Sequence, residues 1–175
     1  MNLVQNIAAI HYPPKKFKHF IGNRKYFTFV RNPVTWYQSR WSGKFARDNH
    51  PVKLKNQPGF ELADDTELND FQFWVANVLD RTNLTKIYET YCDGCDFIGR
   101  TENLSTDLIA ALTTSGETFD PKFARSTQRK NEGVALDRWY TKPLLKKVIE
   151  SNHEIMDRFG YTTNWRAYSE LIFQG

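Results

Sequence analysis

A small α/β fold, a parallel sheet flanked by helices, is what this sequence predicts. Three observations predict it. "KYFTFV" (25–30) is a β-branched and aromatic run, of a length that suits a strand buried on both faces. Arg31-Asn32-Pro33 follows at once, and proline fits the first turn of a helix. From there the chain alternates helical and strand-like segments, in the order strand, helix, helix, short strands, helix, helix.

The elements follow in order. "LVQNIAAI" (3–10) reads as a short buried strand or a helix turn, and "HYPPKKFKHF" (11–20) as a proline-broken basic loop. The helix opened by Pro33 runs to about Arg47. Residues 48–66 hold His50, Pro51, Pro58 and Gly59 and read as a long surface loop, a feature often tied to function. A helix over 67–80 presents Leu68, Phe71, Trp74, Val75 and Val78 on one face. "LTKIYETY" (84–91) and "CDFIG" (95–99) read as strand-like pieces around an Asp-Gly turn. "TENLSTDLIAALTTSG" (101–116) is a helix with Thr101 as N-cap and Gly116 as its stop. A last helix over 141–159 carries Leu144, Leu145, Val148, Ile149, Ile155, Met156 and Phe159, and Gly160 ends it.

Composition narrows the classes. The 175 residues suffice for one domain with a real core, and 40% apolar with 25% charged is a globular balance. The net charge of +4 permits an anionic partner. No basic tail or long like-charge run favours nucleic acid. No apolar run approaches the roughly 18 residues of a membrane span, and the first residues do not read as a signal peptide. The expectation is a soluble protein, cytoplasmic if the chain is complete. Cys92 and Cys95, as "CDGC", could be a redox pair or half of a zinc site, but no second cysteine pair exists. A plain Asp-Gly turn flanked by two thiols is the competing reading. His11, His19, His50 and His153 show no metal-ligand spacing, so no metal is expected.

The chemistry concentrates after the first strand. In open α/β sheets ligands gather at the carboxyl edge, where Arg31 falls. A helix start adds backbone N–H groups and a positive dipole end, both suited to phosphate or sulfate. Arg31 can grip a phosphate with forked donors, and the Ser39 hydroxyl, eight residues on, can add another. An arginine paired with a carboxylate and a solvent-facing serine would look the same in sequence.

The wording of this segment adds to that reading. "FTFVRNPVTWYQS" closely resembles the 3′-phosphate-binding segment of the PAPS-dependent sulfotransferases (PAPS is 3′-phosphoadenosine 5′-phosphosulfate), and more particularly their carbohydrate, Golgi-type branch. "CDFIGRTENLSTDLIAAL" is similar to that family's later strand, turn and helix, and "RWYTKPLLKKVIESNHEIMDRFGY" to its closing helix. The resemblance implies a P-loop-like sulfotransferase fold, as a single domain over 1–175, that moves a sulfuryl group from PAPS to a hydroxyl of a glycan or other small acceptor. It places Arg31 and Ser39 on the 3′-phosphate, with Arg129, Lys130 and Asn131 in the cofactor-covering loop. It makes His11, twenty residues before Arg31, the candidate base. Lys15 and Lys44 are candidate contacts to an anionic acceptor. Lys15, Lys16, Lys18 and His19 together read more readily as a solvated basic face, and Glu102 as a helix-start residue. Trp36, Tyr37 and Trp41 could line an acceptor groove, with two of the three expected in the core.

One departure stands out. The family's phosphosulfate-binding loop is not found before Arg31, and no G-x-x-x-x-G-K-[ST] run occurs anywhere. The chain would then be incomplete at its N-terminus, a reduced variant, or one that completes its sheet by self-association as a homo-oligomer. A non-catalytic module that keeps a PAP- or polyanion-binding pocket is the rival reading. A kinase relative is a third.

Overall fold

In the computed structural model, residues 24–45, 71–122 and 139–173 are described. They form a mixed α/β protein with a small parallel sheet and mostly helices: β1 (Phe27–Val30), α1 (Pro33–Phe45), α2 (Phe71–Leu79), α3 (Leu84–Cys92), β2 (Phe97–Arg100), a 3-10 turn (Thr101–Asn103), α4 (Leu104–Ser115), α5 (Lys142–Ser151), α6 (His153–Arg158) and α7 (Trp165–Phe173). The chain divides into two compact units. One holds β1, the end of α3, β2 and α4. The other holds α1, α2, the start of α3 and α5 to α7.

In the first unit β1 and β2 pair in parallel, with Phe27 beside Phe97 and Val30 beside Arg100. Asp96 fixes this register. Its amide donates to the Tyr26 carbonyl at 2.7 Å, its carboxylate accepts the Tyr26 N–H at 2.9 Å, and Lys25 reaches it at 3.2 Å. At the far end the Arg100 N–H donates to the Asp107 carboxylate at 2.6 Å, which ties β2 to α4. Sheet and helix meet over Gly99. A Cβ there would stand 2.7 Å from the Phe29 ring and 2.8 Å from the Asp107 Cβ. The Asp107 neighbour cannot yield freely, because its Cβ is anchored to the backbone. Gly99→Ala is therefore expected to cost about 1–3 kcal/mol by overpacking. A lower midpoint of chemical unfolding would show it, and an unchanged midpoint would contradict it.

In the second unit α5 is the centre and packs against α1, α2 and α7. Leu144, Leu145, Val148 and Ile149 recur at helical spacing and are all buried. Each such burial contributes roughly 1.5–3 kcal/mol. The Thr141 hydroxyl accepts the Leu144 N–H at 3.4 Å, and proline in the first turn adds to this start. On α2 the buried residues are Phe71, Trp74, Val75, Val78 and Leu79, four of them among the expected ones. Expected residue Leu68 and the surface loop over 48–66 lie outside the described residues.

Three expectations are corrected, and one further helix had not been anticipated. Residues 84–92 are a helix, not a strand. Leu84, Ile87, Tyr88 and Cys92 are buried at a helical period, and the Asn83 side chain caps the start by accepting the Lys86 N–H at 2.8 Å. Thr101 does not cap its helix: it sits inside the 3-10 turn, which has no side-chain cap, and α4 starts at Leu104. The long last helix is two helices. Asn152 breaks it with φ −117° and ψ 15°, and its side chain donates back to the Val148 carbonyl at 2.7 Å. Finally, α7 was not foreseen. Asn164 starts it, its side chain accepting the Arg166 and Ala167 N–H groups at 3.1 and 3.3 Å. Gly116, by contrast, closes α4 as expected, with φ +73°.

Candidate functional site

The residues that the sequence reading singled out lie at the start of α1. Arg31 follows Val30, the last residue of β1, and is half-buried. Asn32 and Pro33 are buried beside it, and α1 begins at Pro33. Ser39 lies on the second turn of α1 and is exposed. It is seven residues after Asn32 and four after Thr35, so these positions share one stripe of the helix.

Asn32 organises this start. Its carboxamide oxygen accepts the Val34 N–H at 2.9 Å, and its backbone carbonyl accepts the Trp36 N–H at 2.8 Å and the Thr35 hydroxyl at 3.1 Å. Its carboxamide N–H donates to the Tyr168 hydroxyl of α7. One residue thus caps α1 and fastens it to α7. Asparagine directly before a proline at the first helical position is a recognisable cap signal. It was legible in Arg31-Asn32-Pro33 but overlooked there. Tyr168 carried no such signal.

This capping changes the chemistry expected of the site. The helix start was to offer backbone N–H donors to an anion. Pro33 has none, and the N–H of Val34 is already engaged. The Thr35 hydroxyl spends its one proton on Asn32. Two of the donors expected at this helix start, the Val34 N–H and the Thr35 hydroxyl, are thus engaged within the protein.

Of the three aromatic residues of α1, one is fully buried and two are half-buried, where two were expected in the core. Tyr37 is fully buried and meets Trp74 edge-on at 6.3 Å between ring centres. Trp41 packs edge-on against Trp139 at 5.1 Å and Phe71 at 5.9 Å. Trp36, half-buried like Trp41, lies edge-on against Tyr37 at 5.1 Å. Glu102 is exposed in the 3-10 turn. His11, Lys15, Arg129, Lys130, Asn131 and the side chain of Lys44 lie outside the described residues.

Burial perturbs two phenols of this unit. Loss of hydration pushes Tyr37 far above its usual range. It pushes Tyr140 well above as well, with Tyr37 and Tyr168 adding to the effect. Tyr140 is held by its function as a donor, its hydroxyl reaching the Val34 carbonyl at 2.7 Å. Among the described residues no group of three or more His, Cys, Asp or Glu is placed to hold a metal ion, and no helix is long and apolar enough to cross a membrane.

Comparison with protein-family models, with curated proteins and with solved structures finds no match for this chain.

Proposed function

We propose that this chain binds the 3′-phosphate of PAPS through Arg31 and Ser39 and belongs, by that chemistry, with the sulfotransferases that act on carbohydrate hydroxyls. The observation that carries the proposal is the passage from β1 through Arg31 into a capped helix with Ser39 exposed on its second turn. A charged fork and a neutral hydroxyl on one short segment suit a dianionic phosphate. The second block of the resemblance adds support, since "CDFIGRTENLSTDLIAAL" folds as strand, turn and helix.

The reaction would be an in-line displacement. The acceptor hydroxyl attacks sulfur, the S–O bond to the 5′-phosphate breaks, and the acceptor proton passes to a base. His11 is the residue proposed for that base, with Arg129, Lys130 and Asn131 over the nucleotide and Lys15 and Lys44 toward an anionic acceptor. Donors must also stabilise the leaving phosphate. The sequence holds no glycine-rich phosphate loop for this task, which favours a second reading: a module that binds PAP (3′,5′-bisphosphoadenosine) without transferring sulfate.

Calorimetry with PAP and with adenosine 5′-phosphate tests the binding. Micromolar affinity for PAP with little for the control is expected, because only PAP carries the 3′-phosphate. Equal or absent binding would overturn the assignment. Transfer from labelled PAPS to a panel of glycans then separates enzyme from module.

A further inference from the structure

We infer that Cys92 and Cys95 form a dithiol–disulfide site, oxidised by a low-molecular-weight disulfide and independent of the nucleotide reading above. Cys92 is the last residue of α3 and is buried, while Cys95 is half-buried. The Cys95 N–H donates to the Cys92 carbonyl at 3.0 Å. That bond closes a four-residue turn, which brings the first and last Cα atoms within about 7 Å. A disulfide spans Cα separations up to about 6.8 Å. Gly94 supplies the positive φ of 81° that the turn requires.

Both ends of this turn are held. On one side the Asp93 N–H continues the helix ladder to Glu89 at 2.9 Å. On the other, Asp96 is bonded to Tyr26 through both its amide and its carboxylate. The Cys95 thiol donates to the Tyr91 carbonyl at 3.3 Å, back toward the helix that ends in Cys92. The two Cα positions are therefore held close before any reaction, and the ordering of Asp93 and Gly94 is already in place. The chain contains two cysteines in all, so no third protein thiol competes within it.

The chemistry balances as two exchanges. The more accessible Cys95 loses its proton and attacks the external disulfide, releasing one small thiol and leaving a mixed disulfide. Cys92 then loses its proton and attacks the Cys95 sulfur, displacing the second small thiol. Two electrons and two protons pass to the external disulfide, which ends as two thiols.

The test is equilibration of the full chain with reduced and oxidised glutathione, acid quenching, alkylation in denaturant and intact-mass measurement. The expected product is a monomer two hydrogens lighter, carrying neither alkyl group nor glutathione, and restored by dithiothreitol. The folded chain should favour the disulfide about tenfold or more over the chain in denaturant, because the turn is already ordered. Cys92→Ser should stop the reaction at a glutathione adduct on Cys95. Two alkylated thiols, a stable glutathione adduct on the unmodified sequence, linked dimers, or no preference over the denatured chain would each overturn the inference.

Discussion

Replacing Arg31 by alanine is expected to weaken PAP binding about tenfold or more. A hydrogen bond to a charged group contributes roughly 1.5–3 kcal/mol, and every 1.4 kcal/mol is a factor of about ten. The capped start of α1 sharpens this expectation. Since Pro33 has no N–H and that of Val34 is engaged by Asn32, little backbone is left to share the phosphate. Arg31→Lys should recover part of the loss, as a point charge without the fork. Ser39→Ala should cost less, about 0.5–1.5 kcal/mol for a neutral donor. Ser39 is exposed, so that change leaves the fold untouched. Titration calorimetry of the three variants against PAP gives the ranking. Unchanged affinity in Arg31→Ala would remove Arg31 from the site, and with it the central support for the sulfotransferase reading.

How much of this was legible beforehand depended on how local the signal was. β1 and the start of α1 were readable because composition and proline act within a few residues. Gly116 was readable because a glycine stop is a single-residue signal. "LTKIYETY" was misread because threonine, isoleucine and tyrosine favour strands, and eight residues is a strand-like length. The helical spacing of Leu84, Ile87 and Tyr88 and the cap at Asn83 outweigh that preference. The break at Asn152 was hidden because apolar residues continue on both sides of it. The buried asparagine itself was the clue, since its side chain competes with the helix for the Val148 carbonyl.

The site shows the same division. Arg31 and Ser39 follow from the order of strand, proline and helix. The Asn32 cap is local and readable in Arg31-Asn32-Pro33; only its tie to Tyr168, 136 residues away, is reported by no local pattern. The prior expectation of open N–H groups treated the helix start as a bare dipole end. The structure gives it a side-chain cap, and the cap takes up a donor that an anion would otherwise use. The proposed anion contact therefore leans on the side chains of Arg31 and Ser39 more than on the helix start.

The largest expected effect on stability is its decline at alkaline pH. Tyr37 and Tyr140 are buried, and burial raises both phenols above their usual value of 10.0. A raised value means that the folded chain holds these protons more tightly than the unfolded chain. Below pH 10 both states are protonated at these sites and the tyrosines make no pH-dependent contribution. Above it the unfolded chain releases protons that the folded chain keeps, so stability falls as pH rises. Each such proton contributes a slope of about 1.4 kcal/mol per pH unit, and two give up to about 2.7. Tyr140→Phe separates this effect from general alkaline damage. At neutral pH it loses the hydroxyl bond to the Val34 carbonyl, a cost of about 1 kcal/mol. Above pH 10 it also removes one of the two protons, so its stability falls with about half the slope. The curves of the variant and the parent should therefore converge as pH rises. Urea unfolding from pH 7 to 12 would trace both, and parallel curves would show that Tyr140 ionises as readily in the folded chain as in the unfolded one.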